Sequence, residues 1–254
     1  MLHLKIALHW ALSVLSIPLL LPQGTTYANS FFHPFYDTVY LNRSGKEITP
    51  GPHTKIHKTF IVRTTLTTED LYGIIPEEKN HRQRGNVNSI SEAKADTIEN
   101  LIKKGKFEEA RQAGNLVELR PLAERQADGI FILRDNGEGG EATKNNREYA
   151  TIIYKGGRRQ VKLGKVADPC KGGIGVDIPV SENIIMYSHS HPSGKKQVQG
   201  TPCYFYPQAP SKADIKKAPV KQTRVVFGRD SDLVYIYNRS GVIAALPTNV
   251  YITL

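Results

Sequence analysis

The sequence predicts an α+β fold, a mixed or antiparallel sheet with flanking helices. Three observations carry that prediction. One region, Ser89 to Gly114, has helical periodicity. After it come successive short β-rich runs parted by Gly, Asn, Asp and Lys turns, with one short helix signal near Ser211. The composition, 39% hydrophobic and 23% charged, is that of a globular chain and too apolar for a disordered one. At 254 residues the chain suffices for one large domain or two modest ones. Lys and Arg total 34 against 24 Asp and Glu, a net charge of +10. Such a surface attracts anionic partners (wall polymers, lipid headgroups, nucleic acid) without choosing among them.

The first segment reads as a processing signal. Lys5 precedes the apolar run Ile6 to Leu21, and Pro22, Gly24 and Thr26-Tyr27-Ala28 follow. This is the pattern of a secretory signal peptide, residues 1–28, cut after Ala28. The alternative is a retained anchor, because the run is nearly long enough to span a bilayer. Pro18, Pro22 and the small-to-polar junction Ala28-Asn29 favour cleavage. The expected location is therefore periplasmic or secreted, with no membrane span after signal removal. Cys170 and Cys203 are the only cysteines, and in an oxidising compartment they most simply form one disulfide. A two-cysteine zinc site is the alternative, but neither lies in a C-x-x-C spacing.

Residues 29–115 form an N-terminal mixed region. Thr38 to Leu41 reads as a strand entering the turn Asn42-Arg43-Ser44-Gly45, and Phe60 to Val62 and Thr64 to Thr68 continue the β tendency. Ser89 with Glu92 matches a capping box, and Ala95, Ile98, Leu101 and Ile102 share one helical face. Gly105 ends that helix, and Gly114 a second short one built on Phe107 and Ala110. Pro121 opens a further turn of helix over Leu122 to Ala127. A boundary near residue 115 leaves 116–254 as the second domain. There Ile130 to Leu133, Tyr149 to Tyr154, Gln160 to Lys165, Ile184 to Ser188, Thr223 to Phe227, Leu233 to Tyr237 and Val242 to Leu246 read as strands. The turn tetrapeptide recurs at Asn238-Arg239-Ser240-Gly241.

Of eight histidines, two stand together in His189-Ser190-His191-Pro192, after the apolar run Ile184 to Tyr187. Residues two apart on a strand face the same way, so both imidazoles can reach one ion. Two exposed histidines beside a turn are the equally simple reading. Downstream, Pro210-Ser211-Lys212-Ala213-Asp214 places Ser211 as a helix cap and Asp214 on the first turn. If that turn packs beside the histidine strand, Asp214 is a third ligand, and a fourth position stays open for water. Glu148 leads the strand Tyr149 to Tyr154. Such a residue is usually a solvated strand end, but it also stands where a general base is needed on a neighbouring strand.

Taken in order, Glu148, His189-Ser190-His191-Pro192 and Pro210-Ser211-x-x-Asp214 resemble the motifs of the JAMM/MPN (JAB-type) metallopeptidases. Asn146-Arg147-Glu148-Tyr149 is similar to a phrase in the branch attached to bacterial polymorphic toxins. The resemblance covers roughly residues 120–245 and implies the family's cytidine-deaminase-like layering. It implies Zn2+ held by His189, His191 and Asp214, Glu148 as the general base, and Ser211 as a stabiliser of the oxyanion. The stretch from Pro192 to Pro210 is longer than the family's usual gap, and a Cys170–Cys203 disulfide would tether it.

The expected function is that of an exported zinc-dependent peptidase or isopeptidase acting on a peptide, peptidoglycan or protein substrate. The alternative is a catalytically inactive exported binding or effector module of the same fold. A nucleic-acid partner is not expected, since the aromatics do not interleave with Lys and Arg in a binding pattern.

Overall fold

The structure is a computed structural model that describes residues 38–62, 92–113, 116–168, 170, 175–177, 183–198, 201–203, 206–219 and 222–254. The leader 1–28, Ser89, the Thr64 to Thr68 run and Gly114 lie outside the described residues. The chain divides into Met1–Pro34 and Phe35–Leu254, and only the second unit is described below.

A small antiparallel sheet comes first, built from β1 (Thr38–Leu41), β2 (Lys58–Val62) and β3 (Leu116–Leu119), in the order β1-β2-β3. The predicted turn after β1 is present. The Asn42 side-chain oxygen accepts from the amides of Ser44 and Lys46, and Gly45 takes φ +77°, which favours glycine. Helices α1 (Glu92–Lys103) and α2 (Phe107–Gln112) turn sharply at Gly105. Their Leu101, Ile102 and Phe107 pack with Leu41, Phe60 and Ala110 into a core of their own. β3 pairs with β2, yet its Val117 and Leu119 enter the main core, so this one strand serves both layers.

The main sheet has six strands: β4 (Tyr149–Tyr154), β5 (Arg159–Leu163), β6 (Ile184–His191), β9 (Arg224–Gly228), β10 (Leu233–Asn238) and β11 (Gly241–Pro247). Their order is β11-β10-β9-β6-β4-β5, antiparallel except for the parallel pair β6–β9. The α+β architecture is therefore observed. A small hairpin, β7 (Lys196–Val198) and β8 (Thr201–Cys203), occupies part of the crossover between β6 and β9. Helix α3 (Leu122–Ile132) precedes the sheet, α4 (Lys212–Lys217) lies in the crossover, and α5 (Thr248–Thr253) ends the chain.

Two elements differ from the sequence reading. The sequence reading makes Ile130 to Leu133 a strand; instead Ile130 to Ile132 form the last turn of α3 and Leu133 caps it, with Phe131 and Ile132 buried and Ile130 exposed. The buried positions Arg125, Asp128, Gly129 and Ile132 recur at helical spacing, a face that polar residues hide from a hydrophobic pattern. β3 was not anticipated, being only four residues between helical segments.

The two faces of the sheet receive different cover. α3 lies over the face that carries Thr151 and Ser188. There a fully buried Asp128 accepts from Thr151 (2.7 Å) and Arg159 (2.6 Å) on one oxygen, and from Ser188 (2.8 Å) and Arg120 on the other. α5 covers the same face, where Tyr251 meets Phe227 edge-on and its carbonyl accepts from the buried Arg125. The opposite face carries His189 and His191 and is met by α4.

Candidate metal centre

β6 owes its length to a continuous apolar lead-in followed by alternating Ser and His, and Pro192 stops its pairing. The alternation sends Ser188 and Ser190 to the α3 face and His189 and His191 to the other. β4 runs antiparallel to β6 with Ala150 opposite His189. Two residues earlier, Glu148 therefore arrives opposite His191. The ligand atoms of Glu148, His189 and His191 lie within 4.8 Å of one another, and all three residues are buried. This cluster can hold a metal ion.

Asp214 reaches the same point from α4. Ser211 caps that helix: its hydroxyl accepts from the Asp214 amide (3.2 Å), and the Asp214 carboxylate accepts from the Ser211 amide (2.8 Å) and hydroxyl (2.6 Å). This reciprocal capping box fixes the direction of the carboxylate. One Asp214 oxygen lies 3.4 Å from Nε2 of His189 and the other 3.4 Å from Nε2 of His191.

Those separations bear on a metal directly. A well-formed N–H···O hydrogen bond is about 2.7–3.2 Å long. Two ligands at about 2.0–2.1 Å from a tetrahedral zinc stand about 3.3–3.4 Å apart. The observed spacing fits ligands around a shared cation better than imidazole–carboxylate bonds. Both imidazole Nδ1 atoms are buried with no hydrogen-bond partner. The donor set, two nitrogens and carboxylate oxygens, suits zinc and other divalent first-row ions alike.

The electrostatics are those of a coupled cluster. Burial alone would push the Asp214 carboxyl up, but the two imidazoles, His189 foremost by its charge, outweigh it and hold Asp214 well below the usual carboxylate range. Burial alone would lower the His191 imidazole, and Asp214 and Glu148 reverse that and raise it above its ordinary value. Tyr187 stacks on His189 with centroids 4.9 Å apart, and burial pushes its phenol far up, so a neutral ring floors the cluster.

The long excursion between His191 and Ser211 is pinned at several buried points. Gln208 donates to the carbonyls of Pro192 (3.0 Å) and Tyr206 (2.8 Å) and accepts from the amide of Asp230 (2.7 Å). It also fills the space beside Gly228, where a Cβ would meet Gln208 backbone and side chain at 3.0 Å. Asp135 accepts from the Ser193 amide (2.8 Å) and from its hydroxyl (2.5 Å), while Arg229 donates to the Asp135 carbonyl (3.0 Å). Burial raises the Asp135 carboxyl, against the bonds from Ser193 and Gly137 that favour its charge. Cys170 is disulfide-bonded, and the one other cysteine of the sequence is Cys203.

The structure thus brings Glu148, His189, His191 and Asp214 together. Ser211 joins them through Asp214, with its hydroxyl hydrogen directed at the carboxylate. Sequence reasoning missed Gln208, Asp135, Ser193 and Arg229. Only Ser193, next to the His-Ser-His-Pro phrase, stood near a signal, because the other three act across separations a motif does not span. No protein-family model, curated protein or solved structure matches this chain.

Proposed function

We propose that the protein is an exported zinc-dependent peptidase or isopeptidase of the JAMM/MPN kind, hydrolysing an amide bond in a peptide, protein or peptidoglycan substrate. The observation that carries this reading is Asp214. After an unusually long excursion, it returns to within 3.4 Å of both imidazoles with its orientation locked by Ser211.

Bound zinc supplies water activation near neutral pH and polarisation of the scissile carbonyl. His189, His191 and Asp214 would hold it. Glu148, buried beside them, accepts the proton of the attacking water and hands it to the departing amine. Ser211 orients Asp214, and the oxyanion role that the resemblance implies would require its hydroxyl to turn away from that carboxylate. The closed, buried floor of Tyr187 and Ala150 keeps bulk water from the reacting atoms on the sheet side.

Metal analysis of the purified mature protein tests the reading. About one zinc per chain is expected, lost in His189→Ala and in Asp214→Ala, with cleavage of a peptide library lost in parallel. Folded wild-type protein that takes up no divalent metal sinks the proposal and leaves the binding-module alternative.

A further inference from the structure

The site face continues down the sheet into a row with its own chemistry. One step, two residues, along the strands from His189 lies the row Ile152, Tyr187, Arg224, Tyr237. That step is about 6.5 Å. Tyr187 and Tyr237 are almost wholly buried, at 2% and 1% exposure, whereas Arg224 between them is only half-buried. Val176 packs against the cluster of Ile152 and Tyr187, while Ile215 of α4 and its C-cap Ala218 join the cluster of Tyr235 and Tyr237.

Its guanidinium lies over the Tyr187 ring, 5.1 Å from the centroid, and no carboxylate among the described residues forms an ion pair with it. A guanidinium over an aromatic ring with no carboxylate partner keeps donors for a ligand, and its fork matches a carboxylate in two parallel hydrogen bonds. The arrangement therefore has a fixed neighbour and an unspent charge. His189 stacks on Tyr187 and Arg224 lies over the same Tyr187 ring, which places the cation one side chain away from the metal cluster. Glu148 and Asp214 both lie within electrostatic reach of Tyr187 and Tyr237. Two carboxylates there repel an anion, but a divalent cation on the cluster cancels both charges. Arg224 is then the net charge of this part of the face.

We propose that Arg224, seated between Tyr187 and Tyr237, is the subsite for a substrate carboxylate one or two residues from the scissile amide. The proposal rests on the peptidase reading of the metal centre and deepens it: the substrate class is an acidic peptide or one ending in a free carboxylate nearby. The separation along the strands is the span of about two extended residues, so the charge recognised is near the cut.

The probes are straight-chain dicarboxylic acid monohydroxamates of increasing length, each paired with the compound whose far carboxylate is an amide. They are titrated calorimetrically into the zinc-loaded protein. At one chain length the acid should bind at least tenfold tighter than its amide. Arg224→Gln should abolish that preference, Arg224→Lys should keep a few-fold of it, and amide affinity should be unchanged in both. Equal binding of acid and amide at every length, or a preference that survives Arg224→Gln, overturns the subsite. If no hydroxamate binds, the metal reading falls on its own. The subsite is then judged in the double variant Glu148→Gln, Asp214→Asn, where neither carboxylate repels the anion, by following the Arg224 Nε–H resonance against glutarate. A saturable shift supports it and none overturns it. Should Arg224→Gln not fold, by near-ultraviolet circular dichroism, the wild-type acid–amide ratio and its drop in Arg224→Lys decide.

Discussion

The two faces of β6 bury charge in opposite ways. Towards α3, Asp128 has both oxygens filled: Thr151 and Arg159 on one, Ser188 and Arg120 on the other. Towards α4, two imidazoles and two carboxylates crowd together, with Asp214 3.4 Å from Nε2 of each ring and the ligand atoms of Glu148, His189 and His191 within 4.8 Å of one another. A saturated polar network rigidifies a fold, whereas converging ligand atoms with no hydrogen bond of ordinary length between rings and carboxylate leave a place for a cation. Four successive residues of one strand, Ser188 to His191, thus face a saturated structural network and a cluster that can hold a metal ion alternately.

The sharpest way to break the comparison is Glu148→Gln. It keeps shape and removes the proposed base, so kcat for the proposed hydrolysis should fall about 10²–10⁴-fold with zinc content unchanged. A variant that keeps full turnover would place the base elsewhere. Next comes the saturated face. Asp128→Ala leaves Arg120 buried without its main partner and should cost about 3–5 kcal/mol of stability by urea denaturation. Zinc affinity of the molecules that remain folded should not change. If Asp128→Ala weakens zinc binding as much as stability, the faces are one network and the contrast fails.

A smaller effect separates positioning from ligation. Ser211→Ala removes the hydroxyl that holds Asp214 but leaves the backbone amide in place. Zinc affinity should fall about 10–100-fold, the usual consequence of losing an outer partner of a ligand. Competition with a chelating dye reads this directly, and unchanged affinity would reduce Ser211 to a helix cap.

The same contrast explains what the sequence disclosed. The strands of the main sheet were legible because Tyr149 to Tyr154 and Leu233 to Tyr237 are β-rich runs bounded by turn residues. The capping box at Ser211 was legible because it spans three residues. Glu148, His189, His191 and Asp214 could be named because each begins or ends a recognisable phrase. Asp128 could not: nothing in Ala127-Asp128-Gly129 says that donors from three strands and from Arg120, in the link before α3, will converge on it. Gln208 and Asp135 are invisible for the same reason, since their partners are the backbones of Pro192, Asp230 and Ser193. Ile130 to Leu133 shows the converse limit, β-branched residues placed in a helix by tertiary packing.

The last and smallest effect is one of pH, and its sign follows from His191. In the metal-free protein its pKa is raised above the ordinary 6.5 by Asp214 and Glu148 acting against burial. The stability it contributes is therefore full below about 6.5 and is lost as pH rises through the raised value. Asp214 is displaced the other way. Its contribution is present above its ordinary 3.8 and is lost only at strongly acid pH. Metal-free protein should thus be most stable between these limits and soften towards alkaline pH. Zinc requires neutral imidazoles, so its affinity should climb over the same interval in which the metal-free melting temperature declines. The chelator-induced drop in melting temperature should accordingly widen from pH 6 to pH 8. A drop that stays constant across that range would show that the cluster carries no proton in the metal-free state, and that the 3.4 Å spacing reflects packing rather than readiness for a cation.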